Sequence, residues 1–300
     1  MSVVRTIRGD IPPSELGPCD AHEHLFLETP AQPGDDFTDV GKAIEEVRTL
    51  AAAGARALVD WTPLGLGRSL EGLRAVSEAT GLHVIGATGL HRDAHYVDGD
   101  PFREEPAGRL AERFVADLTA ATPAGVVKVG ASYHVVKPFE RKAFAAAAEA
   151  HRLTGAPVCV HTEHGTMGLA LVELLGELGV GAASIVLAHL DRNPDAGEHA
   201  ETAATGAWLQ LDGPGRTKYH PDSTILKLMA DLAERGFANR LLLGGDTGRR
   251  SMFRAYGGGP GLDHVFARCK PRLERELGPE LSEQIFVANP ARAFAFDPRA

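Results

Sequence analysis

Eight short apolar runs, each followed by a longer stretch of helical periodicity, constrain this chain more than any other feature. A strand buried on both faces reads as a nearly continuous apolar run, and a return to a parallel neighbour needs a crossover, usually a helix. The runs centre on Gly17–Leu27, Arg56–Trp61, His83–Thr88, Gly125–Gly130, Pro157–His161, Ser184–His189, Ala207–Leu211 and Arg240–Asp246. Between them, spacing of apolar residues predicts helices over Asp39–Ala53, from Ser69 to Ala79, and over Ala107–Thr122, Pro138–Leu153, Thr166–Leu178, Pro194–Ala204 and Asp222–Arg235. Ser69 has the chemistry of an N-cap and Gly81 that of a C-terminal stop. Further helices are expected from Gly261 and from Ser282. Eight strand–helix units in 300 residues predict an α/β protein, a (β/α)8 TIM barrel forming a single domain over 1–300. A doubly wound open sheet is the alternative, but no Gly-x-Gly-x-x-Gly follows an early strand. No repeat, linker or composition break divides the chain.

Composition narrows the partners. A net charge of -9 argues against nucleic acid and anionic membranes, yet a few local cations still suffice for an anionic substrate. Cys19, Cys159 and Cys269 lie far apart without a Cys-x-x-Cys pair, so neither a disulfide framework nor a cysteine-rich zinc site is expected. A reduced, cytoplasmic setting is the default for such a chain. The opening Met-Ser-Val-Val-Arg-Thr lacks the apolar core of a signal peptide, and no apolar run reaches membrane-spanning length.

Polar residues interrupt these runs at one recurring place. In the first strand His22 and His24 stand two apart and so share a face, a spacing that suits a divalent metal. Lys128 lies between Val127 and Val129, His161 follows Pro-Val-Cys-Val, His189 follows Ile-Val-Leu-Ala, and Asp246 follows Leu-Leu-Leu-Gly-Gly. In a barrel the C-terminal strand ends meet at one mouth, where active sites sit. Six ligand-type side chains therefore converge there. Lys128 is the diagnostic one, because a charged amine among valines is costly. A neutral amine can instead add carbon dioxide, giving a carbamate whose two oxygens can bridge two cations. Two metals lower the pKa of a water between them, and Asp246 would both ligate and accept its proton. The polar residues that follow other strands, Glu163-His164, Asp191-Arg192 and Asp212, read as loop formers or as contacts behind the ligands. The long third loop, with His91, Arg92, His95 and Tyr96, reads as a substrate wall.

With these residues in this order, and with Asp60-Trp61-Thr62-Pro63-Leu64-Gly65-Leu66-Gly67-Arg68 and Leu243-Gly244-Gly245-Asp246, the chain resembles the phosphotriesterase family of the amidohydrolase superfamily. The match runs from His22-x-His24 to the closing Asn289-Pro290-Ala291-Arg292. The resemblance implies two divalent metal ions, zinc before manganese or cobalt. His22, His24 and Asp246 would hold one, His161 and His189 the other, and a carboxylated Lys128 would bridge them. It also implies a hydrolase of small molecules and a possible homodimer. Members act on lactones, phosphotriesters and other carboxyl derivatives, so the loops must decide the substrate.

Lys218 and Arg249 follow the last two barrel strands, a neighbourhood that frequently binds phosphate; Arg also matches phosphate geometry with a bidentate grip. In the branch resembling phospho-sugar lactonases a Lys and an Arg at these positions hold the substrate phosphate. That branch carries a Tyr soon after the Arg, where this chain has Met252-Phe253, with Tyr256 later. The expectation is therefore hydrolysis of a lactone or carboxyl ester, preferably a phosphorylated sugar lactone. Phosphotriester hydrolysis, N-acyl amide hydrolysis and a noncatalytic metal-binding barrel are the alternatives.

Overall fold

A computed structural model describes residues 2–298. Eight parallel strands form one sheet in sequence order, β3 (Cys19–Glu23), β4 (Ala57–Asp60), β5 (His83–Gly89), β6 (Val126–Ala131), β7 (Val158–Thr162), β8 (Ile185–Ala188), β9 (Trp208–Leu211) and β10 (Leu241–Leu243). Helices cross over between them, so the α/β class and the (β/α)8 barrel are as the alternating runs imply. The seam between the last and first strands is made by the amides of Gly245 and Asp246, which donate to the His22 carbonyl at 3.1 and 2.8 Å. Glycine is required at this seam. A Cβ on Gly244 would stand 2.5 Å from the His22 nitrogen, and one on Gly245 2.2 Å from Glu23 Oε1.

The core has two layers. Small residues such as Ala21, Val59, Ala87, Val126 and Ala188, with Trp61 and Trp208, fill the barrel interior. The outer layer packs the strands' other faces against helix stripes such as Leu110, Ala111, Phe114 and Leu118. Those residues recur at helical spacing on Ala107–Leu118, which is why that stretch winds as a helix and buries that side.

Helix ends largely follow the sequence signals. Ser69 accepts from the Gly72 amide, Gly81 ends that helix at φ 77°, and Pro138 opens Pro138–Thr154. Several bounds differ. The helix expected to run to Thr122 stops at Leu118, where the Thr119 hydroxyl bonds back to the Val115 carbonyl and Pro123 lies ahead. The one expected from Thr166 begins at Gly168, because Met167 takes a left-handed φ of 66°. Of the C-terminal helices, the one expected from Gly261 starts later, at the wide turn Val265–Cys269, and the one expected from Ser282 starts earlier, at Pro279, running into a second wide turn, Gln284–Ala288.

One element has no counterpart in the sequence reading. Strands β1 (Val3–Thr6), β2 (Gly9–Ile11) and β11 (Ala295–Phe296) form a three-stranded antiparallel sheet. Val4, Leu16 and Phe294 join the interior cluster from the N-terminal ends of the strands, and the Ile7 amide bonds to the Val84 carbonyl at 2.8 Å. This sheet closes the end of the barrel opposite the mouth. No helix among the described residues is long and apolar enough to cross a membrane.

The closure packs against Gly125, whose Cβ position lies 2.2 Å from the Arg5 carbonyl oxygen. Gly125→Ala is therefore expected to cost about 1–3 kcal/mol of stability through overpacking. Urea unfolding measures it, and an unchanged midpoint would show that the hairpin yields freely.

Candidate active site

The strand ends deliver the side chains. His22 lies in β3 and His24 one residue beyond it, where the pairing with β4 slips between Asp20 and Glu23. The His22 ring stacks on Trp61 with centroids 4.0 Å apart. Asp246 Oδ1 lies 3.7 Å from His22 Nε2 and 3.4 Å from His24 Nε2. These three donor atoms fall within 4.8 Å of one another, as do donors of His22, His189 and Asp212, so both groups have the composition and spacing to hold a metal. His24 Nδ1 pairs with the Thr62 hydroxyl at 2.8 Å, which leaves Nε2 facing Asp246.

Asp212, at the end of β9, organises two of the imidazoles. Its Oδ2 accepts from His22 Nδ1 at 3.0 Å and from the His189 amide at 3.0 Å, and its Oδ1 accepts from His189 Nδ1 at 2.6 Å. An ionised carboxylate accepts only, so both Nδ1 atoms carry their hydrogens and both Nε2 atoms present lone pairs. Burial alone would raise the Asp212 pKa, but His189 and His22 overcome it and hold the group well below the carboxylate range. Burial pushes His22 down to about 3 and His189 to about 4, so both rings are neutral near pH 7 and suited to ligation. His189 and Asp246 adopt left-handed φ values of 66° and 46°. Such backbone is uncommon outside glycine and concentrates at functional sites.

Lys128 is buried in β6, in register with Cys159, with Nζ 4.4 Å from the Trp61 ring centroid. Burial pushes its amine down to about 8, against the opposing pull of Asp246. His161 ends close to His189, ring centroids 4.4 Å apart. Its Nε2 is paired with Glu163 Oε2 at 2.6 Å, and Arg92 lies 2.9 Å from the same oxygen. The six expected ligands thus converge, with His161 drawn toward Glu163 and outside the two tight donor groups.

Five of the six border one space. A cavity of about 220 Å³ is lined by His24, Lys128, His161, His189 and Asp246, and His22 backs it. Lys218 and Arg249 line the same cavity from the loops after β9 and β10. Arg249 is paired with Asp35 at 2.9 Å, and the Lys218 ammonium lies 4.8 Å from the Tyr219 ring centroid. His91 and His95, on the expected wall, stack at 4.1 Å. Two further cations meet Asp246: Arg192, read in the sequence as a loop former or a contact behind the ligands, and Arg216, not singled out there. Arg192 and Arg216 each place Nη2 2.8 Å from Asp246 Oδ2. Burial would raise the Asp246 pKa, but Arg216, with His24, His189 and His22, holds it well below the usual range. Asp212 carried a readable signal, since it directly follows the apolar run Ala207–Leu211. Arg192 carried the weaker signal of following the Ser184–His189 run, and Arg216 none beyond residue type.

The phosphotriesterase family profile matches residues 2–294. A phospho-furanose lactonase of Mycoplasmopsis synoviae is 31% identical, over 98% of this chain and 92% of that protein. A lactonase of Listeria monocytogenes superposes with TM-score 0.91 at 29% identity, covering 98% of this chain and 99% of that one. The phosphotriesterase homology protein of Escherichia coli, solved with phosphate in its active site, superposes with TM-score 0.87 at 28% identity, covering 93% and 99%. The barrel, the strand-end histidines and the whole-length match agree: this chain is a hydrolase that belongs to the phosphotriesterase family.

Proposed function

We propose that the chain is a two-metal lactonase that opens a phosphorylated sugar lactone, acting as one domain over 1–300, of which residues 1, 299 and 300 lie outside the described residues. One observation carries this reading: the strand-end donors and the cations Arg216, Lys218 and Arg249 border a single cavity. The donor set fits metal, because His22 Nε2 is buried with no hydrogen-bond partner while Asp212 fixes the other nitrogen. In this reading His22, His24 and Asp246 hold one ion, His161 and His189 the other, and a carboxylated Lys128 links them. Two divalent ions there, zinc before manganese or cobalt, would polarise the scissile carbonyl and acidify a water.

The chain's own residues do the rest. Asp246 turns Oδ1 toward His22 and His24 and Oδ2 toward Arg192 and Arg216. It takes the proton of the attacking water, and the two guanidinium groups make that proton easy to surrender to the leaving ring oxygen. Lys218 and Arg249 bind the phosphate, with Arg249 exchanging Asp35 for it. The phospho-furanose lactonase relative and the phosphate in the Escherichia coli structure support that choice of anion. A small-molecule enzyme of the cytoplasm suits the composition, and a homodimer rests on the family resemblance alone.

Three outcomes test the reading. Lys128→Met is expected to lose two-metal occupancy, and short carboxylates to restore part of the activity of Lys128→Gly; elemental analysis finding two metals in Lys128→Met would refute the bridge. Asp246→Asn is expected to lower kcat by about 10²–10⁴-fold with a smaller change in KM. A variant with both metals and most of its kcat would remove Asp246 from proton transfer. Lys218→Ala and Arg249→Ala should each lose about 10- to 100-fold in kcat/KM on a phosphorylated lactone, since a charge-assisted bond contributes about 1.5–3 kcal/mol. A neutral lactone of the same ring should be indifferent. If both lactones fall equally, the substrate is uncharged.

A further inference from the structure

We propose that Asp222, His264 and Cys269 form a separate metal site for one zinc-class divalent cation, beneath the loop that carries Arg216 and Lys218. Their donor atoms lie within 4.8 Å of one another. Asp222 Oδ2 is 3.8 Å from Cys269 Sγ and 3.9 Å from His264 Nε2. In a tetrahedral zinc site, bonds of about 2.0–2.3 Å put neighbouring ligand atoms about 3.3–3.6 Å apart. The two distances from Asp222 Oδ2 thus lie within a few tenths of an ångström of that spacing. A thiolate, an imidazole and a carboxylate are all established zinc ligands, and three of them leave a fourth position for water.

Besides the spacing, one feature points to an occupant. His264 Nε2 is buried and has no hydrogen-bond partner, and 3.9 Å from Asp222 is too long to count as one. The backbone is built for the convergence. His264 and Cys269 are five residues apart, which on an α-helix separates them by about 140°. The Val265–Cys269 turn is instead π-type, with the Lys270 amide bonding to the Val265 carbonyl, and so brings the two side chains toward one side.

The site would act on the substrate loop. Asp222 Oδ1 accepts from the Gly215 amide at 2.9 Å, one residue before Arg216. A cation on Oδ2 fixes the carboxylate that holds this backbone. Burial and the Asp222 charge push the Cys269 thiol up to about 12.

Cobalt(II) titration of the reduced, chelator-treated full-length protein tests this, read by the thiolate-to-cobalt charge-transfer band in the near ultraviolet. The expected result is a band whose final intensity is that of one thiolate–cobalt bond per chain and that is displaced by zinc. Cys269→Ser should abolish it, and His264→Gln should raise the cobalt midpoint at least about 10-fold. The barrel-mouth donors include no thiol, so the band is independent of the lactonase reading. No band in the wild type would overturn the site. So would a band surviving in Cys269→Ser, which would belong to Cys19 or Cys159, or a His264→Gln titration matching wild type. Should Cys269→Ser fail to fold, the His264→Gln titration decides.

Discussion

The Asp212 carboxylate, buried between His22 and His189, is the contact on which the mouth of this barrel depends. It ties the end of the first barrel strand to the end of the sixth across the interior. A buried carboxylate left alone would carry a large desolvation cost. Here three N–H donors meet it, and its own amide donates to Asp191 Oδ1 at 2.8 Å. The pairing sets both imidazole tautomers at once. Without it, His22 and His189 would be free to turn their hydrogens toward the cavity and present no lone pair there. The left-handed backbone of His189 is held in the same way, since its amide is one of the three donors.

Electrostatics at the mouth run opposite to those of the whole chain. The protein carries -9 overall, yet Arg92, Lys128, Arg192, Arg216, Lys218 and Arg249 line the cavity against the carboxylates Glu163 and Asp246. Charges more than about 10 Å away are largely screened in ordinary salt, whereas a low-dielectric cleft focuses those at its wall. Solubility and anion attraction are thus supplied by different surfaces of one molecule.

The barrel and the side chains gathered at its mouth were legible because each breaks a pattern at a fixed place. A His, Lys or Asp ending a run of valines and leucines has few reasons to be there, and topology alone brings strand ends together. Asp212 obeys the same rule and could have been read with the others. Arg192 and Arg216 look like any solvated loop cation until the loop's path sets them on Asp246. The β1–β2–β11 sheet escaped because its strands have four, three and two residues and pair across nearly the whole chain. No local periodicity reports a contact between Val3 and Phe296. The early helix stop at Leu118 was written in Thr119 and Pro123, whose effects compete with a strong apolar stripe.

That small sheet also makes the barrel a vessel with a single doorway. Val4, Leu16 and Phe294 stopper the far end, so nothing crosses from one rim to the other. Whatever enters past Lys218 and Arg249 must leave by the same route, and incoming molecules queue behind departing ones. If the chain opens a phosphorylated lactone as proposed, the acid released at the bottom of such a vessel must pass the cations that drew its precursor in, and their grip sets a toll on its exit.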